Sequence, residues 1–360
     1  MSNGVILVVG SKRLEGWTDL SITRSVDTLC GTFQLSMIDI WNLDDSIELT
    51  PGLPCIIYIG DERLITGYID NQKPSVSTDA SKISISGRCR TGDLVDCSAI
   101  NVPGTWKDIG LRRICIALLN PDNNSFGISL ITETDLGSSF KEFAITTGES
   151  VFEAISRACQ DRAVVPLSNE KGDLVLTNIG KHPAYDDLIY GMNVVSADAE
   201  ANYLDRFSEY QVKGQQSGKG KTWDKSMTQK FATSSDEYIT RFRPKIITMD
   251  NETTQESAQK RANWEAQIRA GRSISVNVTL PSWYQSNGEL WRENLIVYVS
   301  IPKLRVDGEL LIREVSYKLN TSSRSLALKL CDPGIYATEP KAIIKKKKSR
   351  AGKWSFLSGA

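Results

Sequence analysis

The chain has 360 residues, 40% of them hydrophobic, with 43 basic and 43 acidic side chains and a single histidine. That length suits two or three domains, no stretch nears the ~20 apolar residues that span a bilayer, and one imidazole excludes metal sites built on several histidines. The seven cysteines, at 30, 55, 89, 97, 115, 159 and 331, form no CxxC pair, which excludes zinc-finger and redox spacing and predicts reduced, largely buried thiols.

The first apolar stretch, Val5-Ile-Leu-Val-Val9, has no basic region before it and Lys12-Arg13 after it. It reads as a first or edge strand rather than a signal peptide. Leu20 and Ile22 then alternate with polar neighbours. Four strands are predicted next, at Phe33–Met37, Cys55–Ile59, Leu64–Ile69 and Lys82–Ser86. Turn signals at Thr50-Pro-Gly52, Gly60-Asp61 and the polar stretch from Asn71 to Ser81 separate them. The outer members alternate strictly, so one face is buried and one is wet. Cys55–Ile59 is a nearly unbroken apolar run, which suits a strand covered on both faces.

Between residues 91 and 200 the pattern changes. Thr105-Trp-Lys-Asp108 has the form of a capping box opening a helix through Leu119, ended by Asn120-Pro121. Ser150-Val-Phe-Glu153 is a second such box, with Val151, Ala154, Ile155 and Ala158 on one helical face. Strands follow at Ala163–Leu167 and Leu174–Asn178, joined by an Asn169-Glu-Lys-Gly172 turn, and together these make a small α+β insert.

Phe207 to Val212 alternates again, and Gly214 to Gly220 is a flexible loop. Thr253-Thr-Gln-Glu256 opens a polar helix that runs to about Arg269 and is closed by Gly271. A second four-strand set follows at Ile274–Leu280, Leu295–Val299, Leu310–Val315 and Ser325–Leu330. The expected fold class is therefore α+β, mainly β: two related β-barrel modules with an α+β insert domain between them. The boundaries are 1–90 for the first module, 91–200 for the insert, 201–337 for the second module with an inserted loop and helix at 214–271, and 338–360 for a tail. A chain carrying one module twice places six modules in a ring of three subunits, which predicts a homotrimer.

The zero net charge is uneven. Residues 341–360 carry seven basic side chains and no acidic ones, leaving 36 basic and 43 acidic residues, a net of −7, in the rest. The body is not expected to bind nucleic acid over its surface. The tail combines Lys345, Lys346, Lys347 and Lys348 with apolar anchors at Trp354 and Phe356. A run of like charges is usually a solvated tail; the anchors argue instead for docking on an acidic partner, and these six residues are the candidate partner-binding site.

Catalytic motifs are weak. Gly220-Lys221-Thr222 lacks the earlier glycine of a phosphate loop, because position 215 is Gln. His182 stands beside Pro183 in a polar segment, and the pairs Asp44-Asp45 and Asp186-Asp187 sit in turn-like contexts. The eight tryptophans, at 17, 41, 106, 223, 264, 283, 291 and 354, are scattered and read as core and interface anchors. No catalytic residue, cofactor or metal site is expected.

Certain residues also carry a resemblance. Gly16-Trp17-Thr-Asp-Leu20-Ser-Ile-Thr-Arg24-Ser25, then Gly31-Thr-Phe33-Gln-Leu35-Ser, resembles the opening of baseplate hub proteins of Mu-like phages. Leu64-Ile-Thr-Gly67-Tyr-Ile-Asp70, Ile83-Ser-Ile-Ser-Gly87-Arg and Thr91-Gly-Asp-Leu-Val-Asp96-Cys-Ser98 are similar to the "tail protein D" group. The resemblance is dense over roughly 1–160 and mainly architectural to about 336. It implies the phage tail hub fold and a trimer whose six barrels form a pseudosixfold ring between a tail tube and a threefold spike. It implies no catalytic motif. Its expected partners are two further copies, the tail tube or a tube-initiator protein, the central spike and other baseplate proteins. No sequence-specific nucleic acid and no membrane span are expected, and the location is the virion after synthesis in the host cytoplasm. The competing readings are a distal-tail hub protein of a non-contractile phage, and a β-rich glycan-binding or glycan-hydrolysing protein with carboxylates near Trp283 and Trp291.

Overall fold

The computed structural model describes residues 4–38, 49–78, 81–100, 104–160, 162, 164–214, 230–249 and 255–336. The elements run β1 (Val5–Val9), β2 (Lys12–Leu14), β3 (Asp19–Ser25), β4 (Thr32–Ile38), β5 (Pro54–Ile59), β6 (Glu62–Val76), β7 (Ser81–Cys89) and α1 (Gly92–Asp96). Next come β8 (Thr105–Ile109), α2 (Leu111–Leu119), β9 (Leu130–Thr132), β10 (Phe140–Ala144), α3 (Val151–Gln160), β11 (Val165–Ser168), β12 (Leu174–Thr177), β13 (His182–Pro183) and β14 (Leu188–Ile189). The remainder is β15 (Ser196–Ala201), β16 (Glu209–Gly214), β17 (Lys230–Ser235), β18 (Pro244–Met249), α4 (Gln255–Arg272), β19 (Ile274–Leu280), β20 (Leu295–Ile301), β21 (Val306–Leu319) and β22 (Arg324–Cys331).

The strand order contains the same sequence of neighbours twice. The first set lies in the order β3-β4-β7-β6-β5, and the second in the order β15-β19-β22-β21-β20. In chain order each reads first, second, fifth, fourth, third. This places Ile274–Leu280 at the rank of Thr32–Ile38, and the strand opening at Leu295 at the rank of Pro54–Ile59. The mainly β fold that the two alternating sets predict is present. The sets are joined where β21 pairs antiparallel with β3, Tyr317 opposite Ile22, and the strand path does not close into a barrel among the described residues.

The chain divides into two compact units. The first comprises Met1–Ser196, Val278–Val297 and Ile312–Lys329, and the second Ala197–Asn277, Tyr298–Leu311 and Leu330–Ala360. The first unit buries Leu7, Ile22, Leu35, Ile57 and Leu64 completely. A second cluster in that unit gathers Ile114, Cys115, Ala154, Ile155, Leu174 and Leu176 from α2, α3 and β12. The second unit packs Ala258 and Ala262 of α4 on Val212 and Ala232. Those small side chains let the polar helix approach β16 and β17 closely.

Several local expectations change. Thr105 opens no helix: Thr105–Ile109 is a strand paired with β10, and α2 starts at Leu111 after Gly110. The cross-strand pair Trp106–Phe143, stacked at 6.1 Å, outweighs the capping signal. The Ser150 box is real: Ser150 N–H donates to Glu153 Oε2 at 2.7 Å, and Glu153 N–H to Ser150 Oγ at 3.2 Å. The stretch from Asn71 is not a turn, since β6 continues to Val76. On β5, Ile56 and Tyr58 stay partly exposed, so its second face is not covered. Gly271 lies inside α4; a Cβ there would stand 2.2 Å from Ile335, so close packing rather than helix termination demands the glycine. Gly67 shows the same logic in a strand, where a Cβ would meet the Arg88 carbonyl oxygen at 1.8 Å.

Candidate partner-binding surface

Among the described residues, no group of three or more His, Cys, Asp or Glu side chains is placed to hold a metal. His182 is exposed on β13. Asp186 is a turn constraint, accepting the Ser286 N–H at 2.6 Å. Trp283 and Trp291 are 1% and 2% exposed, and the Trp283 indole N–H donates to the Ser325 carbonyl at 2.8 Å. Neither ring is open for stacking on a sugar, which removes the feature that favoured glycan binding. The lysines at 345–348, Trp354, Phe356, Asp44, Asp45 and positions 215–220 of the predicted loop lie outside the described residues.

What the second unit does offer is an exposed aromatic platform on a buried frame. The Arg206 guanidinium donates two hydrogen bonds to Asp236, both 2.8 Å, with side chains only 3% and 5% exposed. The same guanidinium lies 4.5 Å from the Tyr203 ring centre and 5.4 Å from that of Tyr238. Asp236 also accepts the Tyr238 N–H at 3.1 Å. Arg243 donates to the carbonyls of Tyr203 at 3.1 Å and Leu204 at 2.8 Å, and sits 5.1 Å above Phe207. These contacts tie segment 202–208 to segment 236–243. In and next to these segments Leu204 is 75% exposed and Phe242 84%, with Tyr238 and Ile246 also exposed. A buried ion pair adds little net stability but strongly resists loss of one partner. Here it fixes apolar and aromatic side chains in water, the composition of a protein–protein hot spot.

The first unit carries a second exposed strip. Tyr185, Tyr190, Met192 and Val195 all face solvent, beside Asp186 and Asp187. The segment is pinned by Tyr185 N–H to Gln285 Oε1 at 2.7 Å, and by Asn193 Nδ2 to the Asp187 carbonyl at 2.7 Å.

The first unit also has its own buried arginine. Arg24 Nε donates to Glu293 Oε1 at 2.7 Å, Nη1 to the Leu64 carbonyl at 3.0 Å, and Nη2 to the Ser168 carbonyl. Burial alone would push the Glu293 carboxyl up; the Arg24 charge beside it prevails and holds it below the usual carboxylate range. Neither arginine's role was visible in sequence. Arg24 ended a recognisable strand motif, but its carboxylate partner lies 269 positions away.

Three family models match: Mu phage baseplate assembly protein GpP-like, N-terminal, over 4–89; baseplate hub protein gp44-like, second domain, over 91–178; and Mu phage baseplate assembly protein GpP, fourth domain, over 253–339. The baseplate hub protein gp44 of Escherichia phage Mu is 34% identical over 328 residues, spanning 89% of this chain and 85% of that protein. The 43 kDa tail protein of prophage MuSo2 from Shewanella oneidensis is 32% identical, with a TM-score of 0.82 over 94% of this chain and 100% of that one. The E. coli c3393 protein, a type VI secretion component described as similar to T4 tail proteins gp27 and gp5, shares the fold: TM-score 0.55, 10% identity, 90% of this chain and 76% of that one.

Proposed function

Because the chain belongs to the baseplate hub family of Mu-like phages, a family of structural tail proteins, we propose that it works as a trimeric ring joining the tail tube to the central spike. The observation that carries the ring is the repeated strand order, β3-β4-β7-β6-β5 and β15-β19-β22-β21-β20. Three chains with two like modules each supply six similar positions to a sixfold tube and three identical ones to a threefold spike. A closed ring needs heterologous contacts, with one surface of each copy against a different surface of the next. The Leu204–Tyr238–Phe242 platform, with Arg241, Arg243 and Lys245 near it, and the acidic apolar strip at Tyr185–Val195 have complementary chemistry for such contacts.

The domain organisation in this reading is a first module at 1–90, an insert at 91–200 and a second module at 201–337. Residues 341–357, with Lys345–Lys348 as charges and Trp354 and Phe356 as anchors, dock on an acidic partner, the spike being the first choice. Tube, spike and other baseplate proteins are the partners; synthesis is in the host cytoplasm.

The test measures mass by light scattering on the full chain and on a chain lacking 341–360, with spike capture scored for both. A trimer in each, and spike capture only by the full chain, is expected. Monomers in solution together with no threefold hub in assembled particles would overturn the ring. Equal spike capture by the truncated chain would overturn the role of the tail alone.

A further inference from the structure

The platform of the second unit adjoins a group of cations with too few counter-charges. Three of them surround the Phe207 ring: the Arg243 guanidinium 5.1 Å from its centre, the Lys245 ammonium at 5.3 Å and the Arg269 guanidinium at 5.6 Å. The ring attracts each cation, but the cations repel one another. The carboxylates close by are already engaged. Asp236 holds Arg206, and Glu265 is shared by Arg261 at 2.8 Å and Arg269 at 3.1 Å. Arg269 also lines a cavity of about 210 Å³ with Asn202, Leu204, Asp205, Arg272 and Ser273. Its wall therefore has two guanidiniums to one carboxylate. Arg272 is exposed, and neither it nor Lys245 has a carboxylate partner among the described residues. Such a fixed excess of one sign favours an anionic partner. Leu204 belongs to both the cavity and the platform, so a segment that brings an anion here lays its neighbours on apolar surface.

The strip of the first unit has the converse chemistry. Of the fourteen large apolar side chains exposed among the described residues, four lie between 204 and 246 and four between 185 and 195. The other six are spread singly through the sequence from Ile38 to Tyr298, so the strip is the match in size for the platform. Two carboxylates sit within it. That of Asp186 accepts the Ser286 N–H at 2.6 Å and the Ser286 hydroxyl at 2.5 Å. Asp187 is exposed, and its carboxylate has no partner among the described residues. Its backbone is held, because Asn193 Nδ2 donates to the Asp187 carbonyl at 2.7 Å and Asn193 Oδ1 accepts the Ile189 N–H at 3.0 Å. A charge displayed on a fixed turn loses little entropy when it is bound.

We propose that Asp187 of one copy enters the cation cluster of a second copy, received by Lys245 and Arg272, while Tyr185, Tyr190 and Met192 cover Leu204 and Phe242. This rests on the ring proposed above and names the charge pairing that sets its register. The cluster is incomplete in a single chain, and the second copy supplies the missing carboxylate. The same pairing rejects wrong contacts, since platform against platform would oppose like charges.

The experiment measures trimer dissociation by sedimentation equilibrium on full-length variants whose melting temperatures match that of the wild type. Lys245→Glu with Arg272→Glu is expected to weaken the trimer at least about tenfold, and Asp187→Lys alone to do the same. All three changes in one chain put opposite charges back at every contact and should recover most of the loss. A second readout places the residues directly. In a Cys97→Ser background, Asp187→Cys with Lys245→Cys should give disulfide-linked dimers and trimers with copper–phenanthroline, and neither cysteine alone should. Wild-type trimer stability in the Lys245→Glu, Arg272→Glu chain would overturn the inference, as would the absence of recovery in the triple variant. So would a loss in Asp187→Lys that is matched by deleting 341–360 and not by reversing the cations; the strip would then receive the basic tail. A wild-type chain that is monomeric in solution and forms no threefold hub in particles fails the ring itself. A wild-type trimer indifferent to these charges fails only the pairing.

Discussion

Each compact unit is organised on one buried arginine–carboxylate pair, and the two pairs do different work. Arg24 collects acceptors from β6, β11 and the segment before β20: Leu64, Ser168 and Glu293. It closes long loops and has no exposed consequence of its own. Arg206 meets Asp236 only 30 positions away and is stacked near Tyr203 and Tyr238. It closes a short loop and holds aromatic side chains in solvent. A long-range buried pair is a fold constraint; a short-range one beneath exposed aromatics is the frame of a surface. The comparison is sharpened by substitutions that separate stability from assembly.

The largest effects fall on the strand cores. Ile57 and Val276 are fully buried, one in each unit. Ile57→Asp and Val276→Asp each place a charge with no partner in an apolar strand, a cost of several kcal/mol after relaxation. Neither variant should give soluble folded protein, as judged by circular dichroism and gel filtration. Soluble trimer from Val276→Asp alone would mean that the second unit is not held by its β19 core.

Next come the ion pairs. Arg24→Met leaves Glu293 buried without a cation and should cost about 3–5 kcal/mol in denaturant unfolding. Arg24→Met with Glu293→Leu should recover much of that. The pH dependence gives the sign. In the wild type the Glu293 folded pKa is depressed, so its contribution is present above the unfolded value of about 4.3 and is lost as pH falls through the folded value. Without Arg24, burial dominates and the folded pKa rises. The carboxyl then favours folding only when protonated, so stability of Arg24→Met should fall as pH rises from the unfolded value of about 4.3 through the raised folded value. Arg206→Met should cost a similar amount, and should abolish assembly even where unfolding is reversible.

A smaller effect tests the insert. Ser150→Ala removes the side-chain acceptor for the Glu153 N–H and should cost about 1 kcal/mol. Thr105→Ala should cost less, because Thr105 caps nothing and its side chain is exposed on β8.

These contrasts also mark what the residues alone disclosed. Alternating strands were legible because period-two burial is local: Phe33, Leu35 and Met37 all turn inward, as do Val276, Val278 and Leu280. The Ser150 box was legible for the same reason. Thr105-Trp-Lys-Asp108 has the same spelling and a different outcome, since Phe143 on a distant strand claims Trp106. The platform left almost no trace in sequence. Tyr203, Leu204, Tyr238 and Phe242 have no shared period, and tertiary bonds such as Arg206–Asp236 and Arg243 to the Tyr203 and Leu204 carbonyls bring their segments together. The lysines and aromatic anchors after residue 340 were conspicuous by composition, whereas the platform depends on tertiary contacts.

The smallest expected effect on stability is the most decisive for function. Phe242 is 84% exposed, and Phe242→Ser removes a side chain whose loss should change unfolding free energy by less than about 0.5 kcal/mol. If the platform is a subunit contact, the same change should weaken trimer formation tenfold or more, because truncation at a hot spot typically costs above about 1 kcal/mol. Met192→Ser in the strip of the first unit should behave alike: exposed, neutral for folding, damaging for assembly. The informative variant is the pair. If platform and strip meet across one heterologous contact, the double variant should lose less than the sum of the single losses, as coupled neighbours do. Strict additivity, measured by sedimentation equilibrium, would place the two surfaces in separate contacts, the platform then facing the tube or the spike. Full trimer formation by Phe242→Ser at the wild-type concentration dependence would remove the platform from the ring altogether.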